Sequence, residues 1–165
     1  MEKRVIVDTT LGRLAKWLRI IGMDTVLFTG TDLHRLIQIS QEQNRIILTR
    51  NRKLEPKRFL GNIIIMKENQ PDRQIGEALQ ALHLEVDWTR FLSRCLLCNA
   101  EIEAIPKEAT EGEVPEFVFH TYREFHRCPA CHKTYWKGTH PNKMKKTIEG
   151  VLRARGPNGS EKLQR

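Results

Sequence analysis

Residues 4–22, RVIVDTTLGRLAKWLRIIG, decide the fold. The apolar run Val5-Ile6-Val7 ends on a carboxylate, Asp8, and Thr9 or Thr10 can cap a helix that starts near Leu11. Leu11, Leu14, Ala15, Leu18 and Ile21 then recur at helical spacing, with Arg13, Lys16 and Arg19 on the other side. A buried strand running straight into an amphipathic helix is the first half of a βαβ unit. Open α/β sheets bind ligands just beyond the carboxyl ends of their strands, which is where Asp8 stands. A single aspartate there reads as a helix cap. It becomes a ligand only if other groups join it.

The pattern repeats outward. Gly22 stops the first helix in the position after its C-cap. Residues 24–28 read as a second strand, and Thr31 or Asp32 caps a helix that turns Leu33, Leu36, Ile37 and Ser40 inward. Residues 45–49 and 62–66 are two more apolar strands. Asp72 is expected to cap a third helix with Ile75, Ala78, Leu79 and Leu82 on its stripe. The order implies an α/β fold, a small parallel sheet flanked by helices with right-handed crossovers. Such a sheet carries Asp8, Asp32 and the pair Arg50-Asn51 to one edge. Carboxylates gathered there could hold Mg2+ or Mn2+, which activate water and neutralise charge developing on a phosphate. Arg13, Lys16, Arg50 and Arg52 would hold a polyanion nearby. Asp32 reads equally well as an N-cap, and Asp24 as a strand-start residue.

Composition shifts near Glu85. Residues 86–94 look like a connector with a short helix carrying Trp88 and Phe91. Beyond it lie two knuckles, Cys95-Leu-Leu-Cys98 and Cys128-Pro-Ala-Cys131. In each, one tight turn presents two thiolates to the same tetrahedral ion, so the pair reads as a closed, structural zinc site whose metal drives folding of a small ribbon. A redox pair or an iron–sulfur cluster are the alternatives, and neither has a further motif here. His126 and His132 flank the second knuckle as surface or outer groups. Tyr135 and Trp136, between Lys133 and Lys137, suit stacking on bases or packing of a thin core. A final helix starts near His140, with Lys143 among its exposed cations and Met144, Ile148, Val151 and Leu152 on one side. The implied organisation is an α/β unit over 1–90, a ribbon with the terminal helix over 91–155, and a disordered tail over 156–165.

Charge supports this division. The net charge is +8, yet residues 1–119 balance at 17 basic and 17 acidic side chains, while residues 120–165 carry eleven Lys/Arg against three Asp/Glu. A basic C-terminal module favours a polyanionic partner, nucleic acid first, over a merely solubilising tail. No apolar run is long enough to span a membrane, and no signal peptide precedes the first strand, so a cytoplasmic location is expected.

Taken together, Asp8, LGRLAKWLRIIGMDT (11–25), Asp32, RIILTR (45–50), RCLLCN (94–99) and CPACHKTYWKGTH (128–140) resemble the Mut-seven-C ribonuclease family, a PIN-like nuclease domain joined to a zinc ribbon. The resemblance implies a PIN-like fold and metal-dependent cleavage of RNA, with Asp8 and Asp32 in two of the metal-binding acidic roles. The family pattern reads Thr-Arg-Asp where this chain has Thr49-Arg50-Asn51. Asparagine is a poorer ligand for a hard cation, so Asn51 would ligate only through its carbonyl oxygen. Three readings follow. One is a ribonuclease using Asp8, Asp32 and Asn51, with the ribbon and terminal helix as a cationic clamp beside the acidic rim. Another is a weakened or inactive RNA-binding protein on the same fold. A ribbon that docks on a protein partner is a third.

Overall fold

The computed structural model describes residues 3–55 and 62–155. The expected disordered tail therefore lies outside the described residues. Four strands, β1 (Val5–Asp8), β2 (Thr25–Phe28), β3 (Ile46–Thr49) and β4 (Ile63–Ile65), form one sheet in the order β2-β1-β3-β4. All its pairings are parallel. The helices α1 (Gly12–Ile20) and α2 (Leu33–Glu42) connect successive strands, and α3 (Pro71–Ala81) follows β4. Side chains alternate along each strand. Val5, Val7 and Leu48 enter the larger core with α1 and α3, while Ile6 and Ile47 face α2 through Leu36 and Ile37.

The helix ends depart from expectation at two points. Neither Thr9 nor Thr10 caps the first turn. Asp8 does so, its Oδ1 accepting the Thr10 N–H at 2.9 Å, and a short 3-10 turn (Thr9–Leu11) precedes α1. Asp72 does not cap α3 either. Gln70 is the N-cap, Pro71 opens the helix, and Asp72 sits in the first turn, where its charge still complements the helix dipole. The other caps follow the sequence. Asp32 accepts the His34 N–H at 2.9 Å. Gly22 takes φ +83°, with Gly22 and Met23 donating to the Arg19 and Leu18 carbonyls at 2.9 Å. A Cβ at Gly22 would also collide with the Arg90 carbonyl, so the connector can pass close only because none is there.

Beyond the connector, β5 (Glu103–Ile105), β6 (Phe125–Arg127) and β7 (Thr134–Trp136) form an antiparallel sheet. A short helix, α4 (Glu116–Thr121), lies between β5 and β6. Its core is thin: Val114, Val118 and Phe125 are buried, with Trp136 packed against them. The last helix, α5 (His140–Arg155), leaves this module and packs along α3. Its Ile148 is fully buried in the larger core of the parallel sheet. Among the described residues no helix is long and apolar enough to cross a membrane.

Arg19 corrects the amphipathic reading of α1. The helical pattern puts it on the polar face, yet it is only 5% exposed. Its guanidinium donates to the Thr25 carbonyl at 2.9 Å and to the Leu96 and Leu97 carbonyls at 2.8 and 3.0 Å. Asn99 completes the joint. Its amide oxygen accepts the Thr25 N–H at 2.8 Å, and its amide nitrogen donates to Asp24 at 2.7 Å. Asp24 also pairs with Arg45 at 2.7 Å and Arg4 at 3.0 Å. Burial raises the Asp24 carboxyl, but hydrogen bonds from Arg45, Asn99 and Arg4 outweigh it and hold the group well below the usual carboxylate range.

A depressed carboxyl contributes stability above its unfolded pKa, near 4, and loses that contribution as pH falls through the lower folded value. The Asp24→Ala variant also leaves Arg45 buried without its charge partner, so it should lose about 3 kcal/mol at neutral pH. Urea unfolding between pH 7 and pH 3 checks both parts: the gap between wild type and variant should narrow below about pH 4.

Candidate functional site

The carboxyl rim of the parallel sheet carries the acidic candidates. Asp8 ends β1, flanked by strands on both sides. Asp8 lies in register with Phe28, the end of β2, and Asp32 follows four residues on, at the same edge. The Asp8 side chain is 8% exposed and held from both sides. Its Oδ1 accepts from the Thr10 N–H and hydroxyl, and its Oδ2 accepts from the Thr49 hydroxyl at the end of β3. Thr49 Oγ1 in turn accepts the Asn51 N–H at 2.9 Å. Asp8, Thr10, Thr49 and Asn51 thus form one hydrogen-bonded group drawn from two adjacent strands. The sequence offers Thr10 only as a helix cap and gives Thr49 no role, because a hydroxyl that orients a carboxylate carries no signal until its partner is known.

Asp32 and Asn51 are less committed to that group. Asp32 is exposed and caps its own helix, and the Asn51 amide oxygen accepts the Lys53 N–H at 3.0 Å. Among the described residues no group of three carboxylates, histidines or thiols close enough to share an ion includes Asp8 or Asp32. The donors at the Asp8 end of the rim are the remaining lone pairs of Asp8 and the neutral oxygens of Thr10, Thr49 and Asn51, while Asp32 carries a second carboxylate four residues past the end of β2. Magnesium is commonly held by one or two carboxylates plus water and substrate phosphate, so this set fits a site that substrate completes. Arg13, Lys16, Arg50 and Arg52 are all exposed, and Arg50 reaches Asn69 beyond β4.

The cysteine quartet is brought together. The four Sγ atoms lie within 4.8 Å of one another, with Cys95–Cys131 at 3.5 Å and Cys98–Cys128 at 3.3 Å. A tetrahedral zinc with Zn–S near 2.3 Å sets its sulfurs about 3.8 Å apart, so the quartet fits. The two knuckles have the same backbone. Cys95 N–H donates to Ala100 and Asn99 N–H to Cys95, while Cys128 N–H donates to Lys133 and His132 N–H to Cys128. The residue after each knuckle is left-handed, Asn99 at φ 73° and His132 at φ 60°. His126 and His132 stay out of the cluster.

Burial pushes the Cys95 thiol up, but the Tyr135 hydroxyl and the Cys98 and Leu97 N–H groups bring it down to about 6. Burial and the neighbouring sulfurs push Cys98 up to about 12. Crowded thiols cannot all ionise alone; a divalent cation removes that conflict.

The Tyr135 hydroxyl lies 3.1 Å from Cys95 Sγ and accepts the Leu96 N–H at 3.1 Å, so Tyr135 belongs to the knuckle's support. Trp136 packs in the ribbon core with one side left half-exposed. Lys133, Lys137 and Lys143 are exposed, and Lys137 pairs with Glu124 at 2.6 Å.

One expectation is overturned. The metal module does not sit beside the acidic rim. Its first knuckle docks through Arg19 and Asn99 on the start of β2, the amino end of the sheet. Asp8 is at the other end, about 10 Å away along the strands. The parallel pairing of β1 and β2 explains this: α1 must return from the carboxyl rim to start β2, so its last turn carries Arg19 to the far edge.

Against known proteins, residues 3–148 match the family described as the Mut7-C RNAse domain. A Homo sapiens protein described as "Exonuclease mut-7 homolog" is 30% identical over 103 residues, which is 59% of this chain and 12% of that protein. The chain thus spans a small fraction of the length of this relative. No solved structure matches this chain.

Proposed function

Since the chain belongs to the Mut7-C RNAse domain family, we propose that it cleaves RNA phosphodiester bonds at the carboxyl rim of its parallel sheet, with Mg2+ or Mn2+ as cofactor. The observation that carries this reading is Asp8, a nearly buried carboxylate at the end of an interior strand, aimed by Thr10 and Thr49. A divalent ion there would supply charge neutralisation at the phosphate and an activated water. Asp8 and Asp32 would hold it, with Asn51 as a neutral donor. Thr10 and Thr49 fix the Asp8 carboxylate, and the exposed Arg13, Lys16, Arg50 and Arg52 draw the phosphate backbone to the rim. The four cysteines would hold Zn2+ in a closed site that shapes the ribbon and leaves no position for substrate.

A second reading, an RNA-binding protein with weakened chemistry, is favoured by Asn51 alone: it is neutral, and its oxygen already accepts the Lys53 N–H. The Asn51→Asp variant separates the two. With Mn2+ and labelled single-stranded RNA, wild type should cleave, and Asn51→Asp should cleave about tenfold faster because a charged ligand replaces a neutral one. Cleavage by the variant only leaves the second reading. Intact RNA with both proteins removes the nuclease.

A further inference from the structure

A cavity of about 580 Å³ opens where the connector, the ribbon and the start of α5 meet. It lies on the ribbon side of the molecule, away from Asp8. Phe91, Tyr135 and Trp136 line it, together with His126, Asn142 and Lys145. Ser93 is also in its wall, and the Ser93 hydroxyl is buried without a hydrogen-bond partner. Lys145 stands at the mouth, its Nζ 5.3 Å from the centre of the Trp88 ring. Its size is right for one nucleoside-sized ligand. Its makeup is that of a single-strand nucleic-acid site: ring faces for stacking, a few polar groups for a base edge, and cations for the flanking phosphates.

The helix α5 connects this cavity to the rim. Its first turns line the cavity through Asn142 and Lys145. Its last turns, with Ala154 and Arg155, line one cleft with Lys67 and Glu68, which follow the carboxyl end of β4. A 16-residue helix spans about 24 Å. Along it Lys143, Lys145, Lys146 and Arg153 are exposed. We propose that the cavity receives an unpaired base of the RNA, several nucleotides from the scissile bond, while the strand between follows the basic face of α5. This rests on RNA being the substrate, and it adds a second point of contact that requires an unstacked base.

The test is binding of oligonucleotides without added Mg2+ or Mn2+, so that no cleavage is needed. Asn142 is exposed at the cavity mouth, and Asn142→Trp would block it. Affinity for a single-stranded 12-mer should fall about tenfold, the range of one stacked base. Affinity for a duplex of the same length, which offers no free base, should not fall. Zinc content and the circular dichroism spectrum check that the variant is folded. Photo-crosslinking of the wild type to bromouracil-substituted RNA should map to Phe91, Tyr135 or Trp136. Unchanged single-strand affinity, or equal losses on single strand and duplex, overturns the cavity as a base site. Either result holds whether or not the protein cleaves RNA, because cleavage is read separately at Asp8.

Discussion

The Asp8→Asn variant should lose cleavage of single-stranded RNA by on the order of a hundredfold, the scale seen when one preorganised polar group is removed from a reaction centre. The substitution is close in shape. The asparagine oxygen can still accept the Thr10 N–H, and its amide can donate to Thr49 Oγ1, so the hydrogen-bonded group around the rim survives in altered polarity. Folding should therefore cost only about 1 kcal/mol, read as a small shift in melting temperature. RNA affinity without added metal should hold or rise, because a negative charge that repels phosphate has gone. Lost turnover with retained binding is the signature expected of a group that acts on the reaction. An unchanged cleavage rate would take Asp8 out of the mechanism.

Removing the zinc proposed for the cysteine quartet should have the largest effect on stability. Structural zinc contributes on the order of 10 kcal/mol to such modules, more than the thin core of Val114, Val118 and Phe125 can replace. A strong chelator, or Cys128→Ala, should abolish hydrogen-exchange protection in β5, β6 and β7. The consequence should reach the first domain. Arg19 would lose its Leu96 and Leu97 acceptors while still buried, and the melting temperature of the β1–β4 sheet should fall with it. Zinc competes with protons for the thiols, which must deprotonate to bind it. Metal affinity should therefore weaken as pH is lowered, with protons released when zinc is added. Retained exchange protection in the metal-free protein would show that the ribbon folds on its own core.

What is legible in the sequence is local. Val5-Ile6-Val7 followed by the Leu11–Ile21 stripe is enough for a strand and a helix, and two C-x-x-C turns are enough for a four-thiol site. Asp32 and Gly22 announce helix ends because caps are short-range devices. Arg19 escapes a periodicity argument because periodicity knows only the helix it belongs to, while its acceptors lie on a knuckle more than seventy residues away. The bond from Thr49 to Asp8 has the same character, a pairing between strand ends that no spacing rule contains. The position of the metal module is hidden for a topological reason. Two charged groups suggest a common surface, but the crossover that follows β1 sends the chain to the opposite end before the module can dock.

The route of α5 has a consequence for how the chain is made. Ile148 fills the core begun by Val5 and Val7, yet it is synthesised only after both knuckles. A nascent chain that has emerged as far as residue 139 holds every strand of the parallel sheet but leaves the flank of α3 bare. Until α5 arrives, the apolar side chains of α3 and of the core that Ile148 completes stay open to solvent.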